Sequence, residues 1–427
     1  MIRFTALAFL ASFLTTPHAC LTEHIARAAQ ASTANDCVGS PAPVNNKFAI
    51  KNAQVFNGNG FQSSETIIII IIINDARIFT VGGNVPPGIN TIDGTGRFLI
   101  PGLIDSDVHP SSCSNLVTLS GYGVTTAINM ACLNYTACSQ LKGQLGTTDY
   151  ITAGEIACGT GSVHATAFGV PPAETIGPDR DLAAFVDYTF GNGSDFFKIV
   201  AEDKGPTVQQ QTTMVQLAHQ LGSFAATHAT MMEYYDQAIQ SKADRIQHTP
   251  ADGLLSKAQI SQIRSQGQFV TPTMEFYRLA FANPALGPVL GFNASCNYSN
   301  IQTNVANMHV AGVPIAVGTD AVGSFAGVIN YPFGRSLHCE LQNLVDAGFG
   351  NAKAIQAATA GAAKLYRLYD RGSIATGMRA DLLLLNSNPV EDITNTLDIS
   401  AAWVGGIQVS AISAQKGQSC DPASLSP

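Results

Sequence analysis

The stretch Pro101-Gly-Leu-Ile-Asp-Ser-Asp-Val-His109 decides the fold prediction, because it has the pattern of a buried strand that ends in polar side chains. Asp107 and His109 lie two positions apart, and alternate residues of a strand point to the same side of a sheet. In barrels of parallel strands, the side chains at the carboxyl ends of the strands form the active site. The stretch therefore predicts the first strand of such a barrel, with both side chains at its mouth.

Downstream of this stretch, short apolar segments alternate with helical patterns. The apolar segments include residues 125–130, 196–200, 268–272 and 314–318, and the helical patterns include residues 208–220, 231–240 and 256–265. Strands that alternate with helices indicate βα units and a parallel sheet. The length of this region matches a barrel of eight such units. We therefore predict an α/β fold, a (β/α)8 TIM barrel, over residues 101–370.

Strand-like segments flank the predicted barrel on both sides. Residues 48–56 precede it, and residues 380–385 and 402–409 follow it. A run of isoleucines at 67–73 also predicts a strand, since β-branched residues favour strands. We predict that the flanks combine into one small discontinuous β-sandwich. Its parts are 46–100 and 371–415, with a poorly ordered segment at 20–45 and a C-terminal tail at 416–427.

Polar side chains also end four later strand-like segments, at Lys198, His228, His248 and Asp320. Imidazole and carboxylate groups suit Zn²⁺ and related divalent ions. A single histidine in such a strand is more often a core residue, but joint placement at strand ends favours a metal site. Lys198 follows two phenylalanines, where a buried unpaired ammonium would be costly. The pattern predicts one or two metal ions at the barrel mouth.

These motifs, in this order, resemble those of the amidohydrolase superfamily, most nearly its imidazolonepropionase-like and prolidase-like branch. The opening stretch is similar to the family motif P-G-L-I-D-x-H-x-H, and Thr-His-Ala, Gln-His-Thr and Gly-Thr-Asp-Ala follow as later strand motifs. The resemblance covers roughly residues 46–415. It implies a metal-dependent hydrolase acting on carbon–nitrogen bonds other than peptide bonds. It implies the metal ligands Asp107, His109, Lys198, His228, His248 and Asp320.

The resemblance also implies a role for each ligand. Asp107, His109 and Asp320 would bind the first Zn²⁺ or similar ion, His228 and His248 the second, and Lys198, carboxylated to a carbamate, would bridge them. A hydroxide on the metals would attack the carbonyl of an amide, lactam or dipeptide-like substrate. Asp320 would serve as the catalytic general base and acid.

Asp107 departs from the family motif, which has histidine at this position. Carboxylate also binds Zn²⁺, so three interpretations stay open. The site is binuclear with an altered metal preference, or it holds a single catalytic ion at His228 and His248. In the third, hydrolysis is lost, and the chain is a binding protein or a non-hydrolytic enzyme, with secondary metabolism as one setting.

Three further residues are candidate substrate contacts. His164 lies in a predicted loop after the third strand, where an ordinary loop histidine is the competing interpretation. Tyr277 and Arg278 follow another predicted strand, where core and surface roles are equally open. The sequence contains no G-x-S-x-G elbow, which argues against a serine hydrolase.

The N-terminus and the composition bear on location and partners. Residues 1–19 have the pattern of a signal peptide, and a membrane anchor or a buried helix is the alternative. The formal net charge is −8 and no basic run occurs, which argues against nucleic acid as a partner. We expect a secreted, extracellular protein, free of the membrane after signal removal, with a small-molecule substrate; the sequence leaves a homo-oligomer open.

Sequons and cysteines agree with secretion and indicate a glycoprotein. The sequons begin at Asn134, Asn192, Asn293 and Asn297. The chain has 9 cysteines, of which Cys20 lies at the expected cleavage site. The other eight allow up to four disulfides of unknown connectivity. They are Cys37, Cys113, Cys132, Cys138, Cys158, Cys296, Cys339 and Cys420.

Overall fold

A computed structural model of the chain describes residues 47–70, 77–325, 329–410 and 420. The strands of the first flank and the start of the barrel are β1 (Lys47–Phe56), β2 (Phe61–Ile70), β3 (Arg77–Val81), β4 (Asn90–Asp93), β5 (Phe98–Pro101), β6 (Leu103–Val108), β7 (Val124–Asn129) and β8 (Asp149–Thr152). The later strands are β9 (Phe197–Val200), β10 (Ala225–His228), β11 (Arg245–Gln247), β12 (Phe269–Thr271), β13 (Gly323–Phe325), β14 (Ile329–Tyr331), β15 (Leu382–Leu385), β16 (Ile399–Val404) and β17 (Ile407–Val409).

The helices follow the barrel strands. They are α1 (Cys113–Gly121), α2 (Tyr135–Leu141), α3 (Val163–Ala167), α4 (Leu182–Gly191), α5 (Val208–Gln220), α6 (Met232–Ser241), α7 (Lys257–Ser265), α8 (Met274–Ala282), α9 (Leu286–Val289), α10 (Tyr298–Val310), α11 (Arg335–Asp346), α12 (Asn351–Ala357), α13 (Ala360–Leu365) and a 3₁₀ helix (Ile393–Leu397). Among the helices expected from the sequence, α5 and α7 begin with capping boxes at Thr207 and Ser256.

The parallel strands close into a barrel. β6, β7 and β8 pair in one sheet, and β9 to β12 pair in another. Bridges from Ala153 to Phe196 and from Val270 to Ile315 join the sheets to each other and to the segment 315–321. That segment returns to β6 through a Val108–Ala321 bridge. The segment takes the eighth position, so the predicted (β/α)8 barrel is confirmed.

The barrel strands owe their position to their apolar residues. Every residue of β6, β7 and β9 is buried, as expected for parallel strands covered by helices on the outer face. Polar side chains at the carboxyl ends of these strands reach the mouth of the barrel. This arrangement places strand-end side chains next to one another.

The two flanks pair directly with each other. β15 runs antiparallel to β5, with Leu382 opposite Pro101, inside an eight-stranded sheet that contains strands from both flanks. Phe48 of β1 stacks on Trp403 of β16 at a ring distance of 5.8 Å, although two strands lie between them. The sheet therefore curls around a small core of its own. Its division into a two-layer sandwich stays a prediction.

Several sequence predictions fall outside the described residues. These are the signal peptide 1–19, the segment 20–45, the end of the isoleucine run at 71–73, and the tail 416–427 apart from Cys420. The described part of the isoleucine run belongs to β2, which pairs with both β1 and β3. Within the described ranges, no helix is long and apolar enough to cross a membrane.

The cysteines form fewer bridges than the maximum expected from their number. Disulfides join Cys132 to Cys138 and Cys339 to Cys420, and Cys113 is also disulfide-bonded. Cys158 and Cys296 are free thiols among the described residues, so four bridges within the set of eight do not form. Cys158 is buried in an apolar cluster, where it packs as a small hydrophobic side chain.

Candidate metal centre

The first group of possible ligands is formed by Asp107, His109 and Asp320. The Nε2 atom of His109 lies 3.0 Å from Oδ1 of Asp320 and 3.7 Å from Oδ1 of Asp107. One ligand atom from each of the three residues lies within 4.8 Å of the others. β6 supplies the first two residues and the segment 315–321 supplies the third, so the closure of the barrel creates this group.

The backbone holds Asp107 in place. The amides of Thr319 and Asp320 both donate to its carbonyl oxygen, at 2.9 and 2.7 Å. Gly318 permits this close approach, because a Cβ atom there would lie 2.7 Å from the amide nitrogen of Asp107. Asp320 itself has a φ of +63°, a left-handed conformation that costs free energy in a residue other than glycine.

The carboxylate of Asp107 fits a cation. The residue is fully buried, and neither oxygen has a hydrogen-bond partner among the described residues. Burial raises the pKa of Asp107 above its usual range, while the charges of Lys198 and His109 oppose the shift. An orphaned buried carboxylate is costly unless a charge or a metal ion pairs with it. This observation supports a metal ion as the missing partner.

His228 and His248 form the second group. Their ring centroids lie 4.4 Å apart, and Nδ1 of His248 lies 2.8 Å from the hydroxyl of Thr273. Burial lowers the pKa of His228 well below its usual value and that of His248 to about 3. Both rings are therefore neutral at physiological pH, the form in which imidazole binds metals. His248 follows β11 with a φ of +74°.

Lys198 lies between the two groups along the strand order. It belongs to β9, opposite Ala226 of β10, and only 5% of it is exposed. Burial lowers the pKa of Lys198, while the charges of Asp107 and Asp320 raise it. The structure thus brings all six predicted ligands to the same end of the barrel.

Sequence reasoning missed Glu202. Its Oε1 accepts the backbone amide of His164 at 2.9 Å, and its Oε2 lies 2.8 Å from Nδ1 of that ring. The ring of His164 in turn lies 4.4 Å from that of His228. Glu202 follows β9 by two residues, so the strand-end rule that found the other ligands was the available signal.

A cavity of about 460 Å³ opens over the candidate ligands. His164 and Tyr277, two of the predicted substrate contacts, line it, but Arg278 is not among its lining residues in the described part of the chain. Arg278 instead makes two hydrogen bonds of 2.8 Å to the carboxylate of Glu275, one turn earlier in α8. The geometry gives no support to the expected substrate role of Arg278.

The walls of the cavity are mostly apolar. The apolar lining includes Met130, Leu133, Leu141, Ile156, Val163, Phe168, Met231, Phe276, Leu290 and Phe292. Besides the candidate ligands, the charged lining residues are all acidic: Glu202, Asp203, Glu233 and Asp252. Lys198 is the one lysine or arginine of the lining in the described residues. The cavity is therefore apolar with a negatively charged border.

Comparison with known proteins agrees with this geometry. The model of the amidohydrolase family matches residues 98–409, well over half of the chain. An imidazolonepropionase from Deinococcus deserti is 34% identical over 102 residues, which are 23% of this chain and 24% of that protein. The chain thus matches about a quarter of the length of this curated relative.

Several solved structures have the same fold. A putative prolidase from Bifidobacterium longum aligns with a TM-score of 0.73 and 23% identity, over 90% of this chain and 98% of that one. A Xaa-Pro dipeptidase with bound methionine aligns with a TM-score of 0.70 and 21% identity, over 85% of this chain and 99% of that one. Phenylurea hydrolase B aligns with a TM-score of 0.70 and 20% identity, over 89% of this chain and 98% of that one. With the family match over the barrel and the second flank, this chain belongs to the amidohydrolase family.

Proposed function

We propose that this amidohydrolase cleaves the carbon–nitrogen bond of a small, mostly apolar amide or lactam, with divalent ions held by six side chains at the barrel mouth. The observation that carries the proposal is the buried Asp107 carboxylate without a hydrogen-bond partner in the described residues, beside His109 and Asp320. Carboxylate and imidazole donors suit Zn²⁺. When bound, such ions lower the pKa of a water ligand and polarise a carbonyl group.

We also propose that Lys198 is carboxylated. Carboxylation requires a neutral amine, and burial favours the neutral form of this lysine. A carbamate would turn a buried cation into an anionic oxygen ligand between the two groups. The position of Lys198 between Asp107 and the histidine pair supports this role.

Asp320 has the environment of a group that accepts a proton. Burial by itself disfavours its charge, but the hydrogen bond from His109 and the nearby His248 and Lys198 outweigh burial and lower the pKa of Asp320. The carboxylate is therefore ionised at neutral pH. We propose that Asp320 takes a proton from the attacking water and passes it to the leaving nitrogen.

The charge of the cavity border supports a substrate without a free carboxylate. A carboxylate is usually bound by arginine or lysine, and Lys198 is committed to the metal centre. Asp203, Glu233 and Asp252 would repel an anionic group, more strongly at low salt. The dipeptide-like substrates expected from the sequence therefore fit less well than neutral amides, lactams or ureas.

Matched substrates test the proposal. We expect metal-loaded protein to hydrolyse a neutral aryl amide, and the same amide carrying a free carboxylate to have a KM at least about tenfold higher. A chelator should abolish both activities, and added Zn²⁺ should restore them. Chelator-resistant hydrolysis would contradict the metal centre, whereas an equal or lower KM for the carboxylate would contradict only the substrate class.

The histidine of the family motif can be restored by Asp107→His. If Asp107 is a ligand adapted to this site, we expect the variant to lose at least about tenfold in kcat/KM, because the larger ring must fit beside Gly318 in a packed interior. Asp107→Asn, which keeps the size and removes the charge, is the matched control. A rise in activity with Asp107→His would instead support the interpretation of a weakened or repurposed site.

We propose that the chain acts outside the cell. The two described disulfides, Cys132–Cys138 and Cys339–Cys420, support an oxidising compartment. Mass analysis of the protein secreted by a eukaryotic host would measure both N-terminal cleavage and glycosylation. An intact N-terminus on protein retained inside the cell would contradict this proposal.

A further inference from the structure

Another group with the composition of a metal site consists of His164, Glu202 and His228. One ligand atom from each residue lies within 4.8 Å of the others. Three different parts of the barrel supply them: α3, the turn after β9, and the end of β10. We propose that these three side chains bind an additional divalent ion of the Zn²⁺ type, beside the centre that contains Asp107 and Asp320.

The spacing suits one ion. Zn²⁺ binds histidine nitrogen at about 2.0–2.1 Å and carboxylate oxygen at about 2.0–2.2 Å, so two ligand atoms on one ion lie within about 4.2 Å of each other. The three ligand atoms lie within 4.8 Å of one another, so binding one ion requires the side chains to shift inward by less than about 1 Å. The ring centroids of His164 and His228 are 4.4 Å apart, and the ring planes are inclined at 68°.

The carboxylate of Glu202 is already fixed in position. The backbone amide of His164 donates to its Oε1 at 2.9 Å, and its side chain is only 9% exposed. The other oxygen contacts Nδ1 of His164 at 2.8 Å, where an ion would replace the proton shared by the two groups. One carboxylate and two imidazole nitrogens are a ligand set that suits a dication such as Zn²⁺.

The six candidate ligands described above are here called the six-residue centre; they are Asp107, His109, Lys198, His228, His248 and Asp320. The group with Glu202 differs from this centre in two of its three members. Only His228 is shared, and an imidazole has two ring nitrogens through which it can serve both sides. The inference therefore rests on the proposed function through His228 alone. The competing role for Glu202 is to orient His164 by a hydrogen bond, without any ion.

Counting bound ions distinguishes these roles. Metal-free protein is titrated with Co²⁺, whose visible absorption reports its ligands, and bound metal is counted by mass spectrometry after equilibrium dialysis. We expect wild-type protein to bind one equivalent more than Glu202→Gln and His164→Ala. We expect each variant to keep the ions of the six-residue centre. The control pair is His219→Ala and Asp244→Asn, which disrupts a 2.9 Å histidine–carboxylate contact elsewhere and should leave the count unchanged.

Each outcome has a defined meaning. If Glu202→Gln and His164→Ala are folded and bind as many ions as wild type with the same affinity, the additional site is overturned, even if activity falls. In that case Glu202 is a positioning residue for His164. If wild-type protein binds no ion, the proposed function fails as well. A His248→Ala variant should keep the additional ion, and its loss on adding Glu202→Gln would support the site directly.

Discussion

The Asp320→Asn enzyme is expected to lose about 10³-fold in kcat, because its amide cannot accept the proton that the carboxylate takes up. General acid–base groups contribute about 10²–10⁴-fold to enzymatic rates. The substitution keeps the size of the side chain and its left-handed backbone, which asparagine adopts readily. The backbone bond from residue 320 to the carbonyl of Asp107 is also retained.

The measurement is steady-state hydrolysis by protein whose metal content is determined in the same sample. Because Asp320 is also a candidate ligand, the loss of kcat is evidence for a role in proton transfer only if the metal is still bound. Asp187→Asn, an exposed carboxylate on α4, is the matched control and should keep full activity. Metal-loaded Asp320→Asn protein within about tenfold of wild type would exclude Asp320 as the essential base.

Glu340→Ala is expected to lower the free energy of unfolding by about 2–6 kcal/mol, because it leaves two buried amides without an acceptor. Glu340, fully buried on α11, accepts the backbone amides of Met274 and Glu275 at 2.9 and 2.6 Å. These amides begin α8, whose N-cap Thr273 makes no side-chain capping bond among the described residues. Glu340, which lies on α11, therefore accepts the amides at the start of α8 that an N-cap side chain would usually satisfy.

Urea unfolding of the metal-free protein measures this effect without a contribution from ion binding. Glu340→Gln keeps an acceptor oxygen and should lose less than Glu340→Ala. Asp346→Ala removes an exposed carboxylate at the end of the same helix and should change stability by at most about 0.5 kcal/mol. A loss below about 1 kcal/mol in Glu340→Ala would mean that α8 does not depend on this contact.

The barrel and the position of its candidate ligands were predictable because both follow from local patterns. Alternating strands and helices specify the barrel, and polar residues at strand ends specify the mouth. The eighth strand position was predicted as well, from residues 314–318, although the segment 315–321 joins its neighbours through bridges rather than a continuous ladder. The prediction of Lys198, His228 and His248 as candidate ligands required no knowledge of the loops.

Features that depend on distant or competing partners were harder to predict. Glu202 lies past the end of its strand, and its importance appears only once α3 brings His164 against it. Arg278 has an equally good partner in Glu275, three residues earlier on one helix face, and this spacing was visible in the sequence. The free thiols of Cys158 and Cys296 follow from packing, which cysteine counting does not determine.

The metal content of the purified protein tests the central claim most directly. We expect at least one equivalent of Zn²⁺ or a similar divalent ion in wild-type protein, and loss of most of it in His228→Ala. This ring is a candidate ligand both beside His248 and in the group with His164 and Glu202. His219→Ala, a partly exposed histidine outside the cavity, should retain the full amount. Folded wild-type protein that carries no divalent ion, and takes none up on titration, would contradict the account.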